Sequence, residues 1–384
     1  YITPQFETRE LERSPITNGI IWIFVFNALS HAGNLQFDQI VDDSTEFVKL
    51  IVYYVLLIGL IDSPKRMISY LRWLTIFAGI STLVAFLYLY RYIQIDQENL
   101  VSEFDGQSIE RMGGTGLFKD PNDLAVLVAT FIPPSVFMAL RPGTMILVRM
   151  FWFGMAGFFF KAILETQSRG GLLALGAGVA AYAFTKFGRK GIFLLAFLPV
   201  MLMASGGGRM SDMSLSKGTG QGRIQLQHEG FMYYLRRPVF GLGLNHYQDL
   251  NGHVAHNSYV QAMTETGFLG GALFTSCFYI AVMMLVRMGK GHEYYDPDMK
   301  QLRPYLLAML GTQMVAKMSL SQTITIPTYM FLGFAAVFTR IAQTEPPFDT
   351  TRVFKSSFWG IVFQVGIAQT IFFFFYLNFM VRYS

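Results

Sequence analysis

Apolar runs long enough to cross a bilayer, about 20 residues each, follow one another along almost the whole chain. Eleven can be read: 17–32, 46–62, 68–90, 122–140, 143–164, 170–186, 190–206, 258–287, 302–322, 324–340 and 357–380. The pair 302–322 and 324–340 has a second reading as a re-entrant feature, because Ser319-Leu-Ser-Gln-Thr-Ile-Thr-Ile-Pro327 is polar and β-branched. One polar segment stands out by length, residues 207–257. Its first part, through Gly222, is rich in Gly and Ser and reads as flexible. Residues 223–235 then place apolar side chains at helical spacing, which predicts a short amphipathic helix on the membrane surface. Pro238, Gly241 and Gly243 turn the chain after it. The pattern predicts an all-α, polytopic transmembrane helical bundle of about 11–12 spans. Its parts are N-terminal helices over 1–206, a polar loop over 207–257 and C-terminal helices over 258–384.

Composition agrees. The chain is 52% hydrophobic and 14% charged, with mean hydropathy +0.38, too apolar for a soluble domain of this length. Its single cysteine, Cys277, lies in an apolar run, which leaves no disulfide framework and no Cys-based metal site. The chain begins at Tyr1 with neither Met nor signal peptide, so a missing N-terminal piece, such as a helix, is expected. Membrane lipids are the expected surroundings, and no nucleic-acid partner is expected.

Charge sets the orientation. The connections holding Lys65-Arg66, Arg141, Lys186/Arg189/Lys190, Arg287/Lys290/Lys300/Arg303 and Arg340/Arg352/Lys355 are basic and fall on one side, which should be cytoplasmic. Loop 92–123 falls on the other side and carries seven acids against two bases, Arg111 and Lys119. Long loops escape this bias, so the bases of 207–257 do not contradict it. Segments 92–123, 165–169, 207–257 and 322–324 then share the outer face, and the polar motifs gather there.

The long loop carries four of the six histidines. Ser258-x-x-Gln261 reads as a capping box, which starts a helix near Tyr259 and leaves His256 just outside its N-terminus. The positive end of a helix disfavours imidazolium and attracts anions. Both effects suit a neutral general base beside a phosphate leaving group; the plainer alternative is a histidine that only ties down the loop. His246, His253 and His256 could supply metal ligands, but no carboxylate or Cys stands at a fitting spacing, so no metal is expected. Gly267 and Gly271 form a GxxxG pattern that predicts close helix packing.

Arg223 opens the amphipathic helix, and guanidinium grips phosphate with two parallel bonds. Arg236 and Arg237 either snorkel to lipid phosphates or join that site. Ser168-Arg169-Gly170-Gly171 opens another helix from outside, with glycines that let backbone approach a ligand and a fixed charge at Arg169. Lys161 and Glu165 form an i,i+4 ion pair, and Lys317 inside the span 302–322 is expected to face a cavity. Asp120-Pro121-Asn122 reads as an N-cap with Pro in the first turn, where Asp120 and Asn122 could also meet a sugar hydroxyl. Asn257, beside His256, is a further candidate contact.

Phe118-Lys-Asp-Pro-Asn122, Ser168-Arg-Gly-Gly171, Gly222-Arg223, Pro238-Val-Phe-Gly-Leu-Gly243 and His256-Asn-Ser-Tyr-Val-Gln-Ala-Met-Thr-Glu-Thr-Gly267, in this order, resemble the O-antigen ligase / O-antigen polymerase family of bacterial membrane glycosyltransferases. The resemblance covers roughly residues 115–275. It implies a GT-C-like helical fold in the bacterial inner membrane. It also implies transfer of a glycan from undecaprenyl diphosphate to an acceptor at the periplasmic face, without a metal or other cofactor. Carried onto this chain, Arg169 and Arg223 would hold the diphosphate and His256 would be the base, with inversion at the anomeric carbon. The acceptor would be lipid A–core in a ligase, a lipid-linked glycan in a polymerase, or a protein in an O-oligosaccharyltransferase, with the ligase as the leading reading. A transporter of lipid-linked glycans would instead need polar or Gly/Pro-broken helices at the midplane and related halves. A structural subunit would leave the histidine-rich loop unexplained.

Overall fold

The computed structural model describes residues 14–94, 101–104, 107–188, 190–191, 219–250, 252–350 and 353–382. The expected span 190–206, apart from its first two residues, and the Gly/Ser-rich start of the long loop up to residue 218 lie outside the described residues.

The chain divides into two compact units that interleave along the sequence. The first comprises Tyr1–Asp62, Ser214–Tyr295 and Lys317–Ser384. It holds α1 (Pro15–Gly33), α2 (Phe37–Leu60), α7 (Thr219–Arg236), α8 (Ser258–Met288), α10 (Ile326–Ile341) and α11 (Phe358–Met380). The second comprises Ser63–Met213 and Asp296–Ala316, with α3 (Pro64–Leu89), α4 (Pro121–Leu140), α5 (Ile146–Thr166), α6 (Arg169–Phe187) and α9 (Pro297–Ala316). Strand is confined, among the described residues, to a hairpin pairing Val101–Phe104 with Gln107–Glu110 and a two-residue ladder between Glu293–Tyr294 and Thr344–Glu345.

Local chemistry fixes the helix starts. Ser63, Asp120, Ser168 and Ser357 each turn a side-chain oxygen onto a backbone N–H of the first turn, and Pro follows at once after Ser63 and Asp120. In the first unit α8 is the axis: α1, α7, α10 and α11 all pack on it. In the second, α4 is nearly all buried beneath α3, α5, α6 and α9. Gly171 and Gly178 let α6 close on Ala125 of α4 and on Thr312 of α9, because a β-carbon at either glycine would land on its neighbour. The glycine of Ser-Arg-Gly-Gly171 thus serves helix packing, where the sequence suggested approach to a ligand.

Seven described helices, α1, α3, α4, α5, α6, α8 and α11, are long and apolar enough to cross a membrane. α11 buries Ile361, Gly366, Phe373 and Leu377 and exposes Phe363, Ile367, Ile371 and Phe375, as a lipid-facing helix should. The chain is a polytopic helical membrane protein. Two boundaries differ from expectation. α2 begins nine residues before the apolar run, at Phe37, and its first half carries Asp38, Asp42, Asp43 and Glu46. The run 302–322 ends as a helix at Ala316, and residues 317–325 form a non-helical connection into α10. Lys317 therefore lies beyond its helix, in that connection.

Candidate functional site

α8 is interrupted at Gly267, whose φ of 71° and ψ of −167° are open in practice only to glycine. The break frees backbone groups that a continuous helix would pair, and buried groups of this kind must find other partners. Residues 238–243 supply them. Leu242 N–H donates to Thr264 O and Gly243 N–H to Glu265 O, both at 3.0 Å, while Phe268 N–H donates to Pro238 O at 2.7 Å. Ser30 of α1 adds its hydroxyl to Glu265 O at 2.6 Å. The fully buried Glu265 carboxylate accepts from Tyr247 N–H at 3.3 Å and from Gln261 Nε2 at 3.1 Å. The Pro238–Gly243 turn and the Glu265-Thr266-Gly267 break are thus two halves of one joint. The GxxxG expectation is corrected here: Gly267 makes the break, and Gly271 leaves room for Met263 from the other side of it.

This joint fixes the end of the loop that leads to His256. Tyr247 is buried and donates its hydroxyl to Leu226 O of α7 at 2.7 Å. Burial, helped by the Glu265 and Glu229 charges, pushes its phenol well above the ordinary tyrosine range, so it stays a neutral donor.

His256 sits two residues before α8 in a left-handed backbone conformation, φ 49°, which is uncommon for a non-glycine residue. Its N–H donates to Ser321 Oγ at 3.0 Å, and its carbonyl accepts from Gln227 Nε2 at 3.4 Å. Asn257, buried, is the N-cap: its Oδ1 accepts from Tyr259 and Val260 N–H at 3.1 and 3.2 Å, and its Nδ2 donates to Gln227 Oε1. The capping-box expectation at Ser258 is therefore off by one residue. Ser258 is drawn away by tertiary bonds: its hydroxyl donates to Leu320 O at 2.6 Å and accepts from Gln322 N–H at 2.9 Å. Its N–H donates to Lys317 O. Gln261, the other half of the expected box, bonds Glu265 instead.

The corner thus joins three segments: the start of α8, residues 317–322, and α7 through Gln227. Lys317 is fully buried and donates from Nζ to Gln322 Oε1 at 2.5 Å, within the same connection that meets Ser258 and His256. Arg223 stands one turn before Gln227 on α7 and shares its face. Arg236 and Arg237 do not belong to this corner. Thirteen residues of helix put Arg236 about 20 Å along the axis from Arg223. Arg236 lies over the Tyr233 ring, and Arg237 donates to Asn34 Oδ1 at 3.1 Å.

The second unit holds the other polar corner. Arg111, buried, donates from Nε to Thr166 O at 2.9 Å and from Nη2 to Asn122 Oδ1 at 3.2 Å. Ser168 Oγ donates to the same Asn122 oxygen at 2.8 Å and accepts from Gly171 N–H at 3.1 Å. Asp120 Oδ1 accepts from Asn122 N–H at 2.6 Å. The starts of α4 and α6 are therefore stitched together, with Arg169 half-buried as the first residue of α6. Asp120 acts as the cap expected of it, and Asn122 is a bridge. Arg111 escaped the sequence reading, where it was one of two bases in an acidic loop; its only signal was its place just ahead of the Phe118–Asn122 motif.

Two further histidines meet carboxylates. His246 pairs with Asp249 (2.5 Å) and Gln39, and His31 lies 2.9 Å from Asp43. Among the described residues no three His, Cys, Asp or Glu side chains are grouped as a metal ion would need.

Fold and motifs together define a class, a helical membrane protein with polar corners built at helix starts. Residues 154–275 match the O-antigen ligase family, 122 of 384 residues. Over this stretch the chain is similar to the O-antigen ligase family, a likeness that supports a membrane glycosyltransferase of the O-antigen ligase/polymerase type. The matched stretch contains Arg169, Arg223, His256 and Glu265; Arg111, Asn122 and Lys317 lie outside it. No curated protein matches the chain.

Proposed function

We propose that this protein is an O-antigen ligase. It moves an oligo- or polysaccharide from undecaprenyl diphosphate to a hydroxyl of lipid A–core, at the periplasmic face of the bacterial inner membrane. His256 takes the proton of the acceptor hydroxyl, whose oxygen attacks the anomeric carbon as the carbon–oxygen bond to the diphosphate breaks. Undecaprenyl diphosphate leaves with that electron pair, and the configuration inverts. Arg223 holds the diphosphate and offsets the charge that grows on the departing oxygen, and the family resemblance assigns Arg169 to the same role. The roles need no metal ion.

The observation that carries this reading is the His256 corner. A non-glycine residue is held at φ 49° beside a helix start by Ser321 and Gln227, with Arg223 one turn from Gln227. A residue kept in a sparsely populated backbone region by surrounding bonds is the pattern expected where geometry serves function.

The test uses purified protein in EDTA with an undecaprenyl-diphosphate glycan, in one tube with lipid A–core and in another with donor alone. Products are read by mass spectrometry. Glycan on lipid A–core is the expected outcome. Longer lipid-linked glycan would make the protein a polymerase, and activity restored only by added divalent metal would overturn the metal-free mechanism.

A further inference from the structure

α3, α4 and α5 leave a cleft of about 340 Å³ at the end of the second unit where α4 turns into α5. Its walls are of two kinds. Met138, Val148, Phe151 and Trp152 are apolar; Arg72 and Arg141 are cationic. Arg141 is already engaged, with Nε and Nη2 donating to the two carboxylate oxygens of Asp298 at 2.8 and 2.5 Å. Arg72 is exposed and has no hydrogen-bond or ion-pair partner among the described residues.

An occupant must therefore bring an anion for the guanidiniums and an apolar chain for the floor. Free phosphate meets only the first demand and a neutral lipid only the second. The volume sits at the low end of small-molecule sites, roughly 300–1,000 Å³. That suits a head group and the first part of one chain, with the rest lying along the exposed side of α5, where Leu147, Met150 and Phe151 face outward. By the Lys/Arg distribution this end faces the cytoplasmic leaflet, where basic pockets between membrane helices take anionic head groups.

We propose that this cleft is a binding site for one anionic phospholipid of the cytoplasmic leaflet, its phosphate on Arg72 and its chain along Val148, Phe151 and Trp152. The site is independent of the glycosyltransferase reading and stands or falls apart from it.

The test is native mass spectrometry of the intact protein from nanodiscs of equal parts phosphatidylglycerol and phosphatidylcholine. One phosphatidylglycerol should be retained in clear preference to phosphatidylcholine. The variant Arg72→Gln should lower that preference about fivefold. Arg72→Lys should keep most of it. Val148→Trp fills the apolar floor and leaves both charges; it should also lose the lipid. Equal retention of the two lipids by the wild type, an undiminished preference in Arg72→Gln, or full retention in Val148→Trp would each overturn the proposal. Arg72 is exposed, so its replacement should leave folding intact.

Discussion

At the His256 corner the chain is held mainly through its backbone, and at the Arg169 corner mainly through side chains. His256 meets Ser321 and Gln227 through its own N–H and carbonyl, and the joint behind it at Gly267 is a set of backbone bonds between residues 238–243 and 264–268. Arg169 follows a serine whose hydroxyl is tied through Asn122 to the Arg111 guanidinium. The difference matters for mutation. A backbone joint depends on which residues can adopt its torsions, so one added β-carbon can break it. A side-chain bridge depends on donors and acceptors, so a substitution that keeps a donor can save part of it.

The largest effect should come from the group with a chemical role. His256→Ala is expected to lower turnover by about 10²–10⁴-fold, the usual share of a general base, while glycan-lipid binding and the thermal midpoint stay near wild type. The bonds to Ser321 and Gln227 use the backbone of residue 256, which alanine retains. Arg223→Ala should weaken donor binding as well as turnover. Full activity in His256→Ala, read with the same donor and acceptor, would remove the base assignment and reduce the corner to scaffold.

Gly267→Ala should be the largest effect on stability. Alanine would have to adopt φ 71° with ψ −167°, and its β-carbon would run into the Val239 carbonyl. Strain of this kind costs about 1–3 kcal/mol, and the clash adds to it. Thermal unfolding in detergent should show a loss near the top of that range, and protease should cut more readily around 238–250. Unchanged stability would mean that α8 can run on as a plain helix and that the joint is incidental.

How much of this was legible beforehand follows the same division. Helices were legible because apolar runs of bilayer length need no tertiary context. The cap at Asp120 was legible because it acts within one turn of sequence, whereas the cap at Ser168 was hidden in a motif that read as an approach to a ligand. The joint at Gly267 was not. A glycine in an apolar helix reads as a packing surface, and nothing local says that Leu242 and Gly243 will take over the carbonyls before it. Ser258 misled for a related reason: its sequence suits a cap, but Leu320 and Gln322, more than sixty residues away, claim its hydroxyl. Arg111 was hidden because a lone base in an acidic loop looks solvated, and its burial depends on Thr166 and Asn122.

Arg111→Ala and Arg111→Lys test the side-chain side of the comparison. Alanine takes the Arg111 donor from the Thr166 carbonyl, at a cost of about 1–3 kcal/mol for a buried unmet group, and leaves the Asn122 oxygen with Ser168 alone. Lysine keeps the charge and can reach one of the two acceptors, so it should recover part of that loss. If the bridge serves Arg169, donor binding should fall with Arg111→Ala and recover partly with Arg111→Lys, while Arg169→Ala loses donor binding at unchanged stability. Equal losses from Ala and Lys would point to the planar guanidinium itself.

The smallest effects separate the two helix caps. Asp120 is exposed and its carboxylate caps only Asn122 N–H, so Asp120→Ala should cost about 1 kcal/mol, an ordinary cap. Asn257 is buried, caps two N–H groups and holds Gln227, which in turn bonds the His256 carbonyl. Asn257→Ala should therefore cost about 2 kcal/mol, the upper end for an N-cap, and also lower turnover, because Gln227 would lose one of its two anchors at the corner. Asn257→Asp retains the capping oxygen but loses the amide donor to Gln227, so it should restore stability more fully than turnover. If the two properties recovered in step, Asn257 would be a cap alone, and the hold on His256 would come from Ser321.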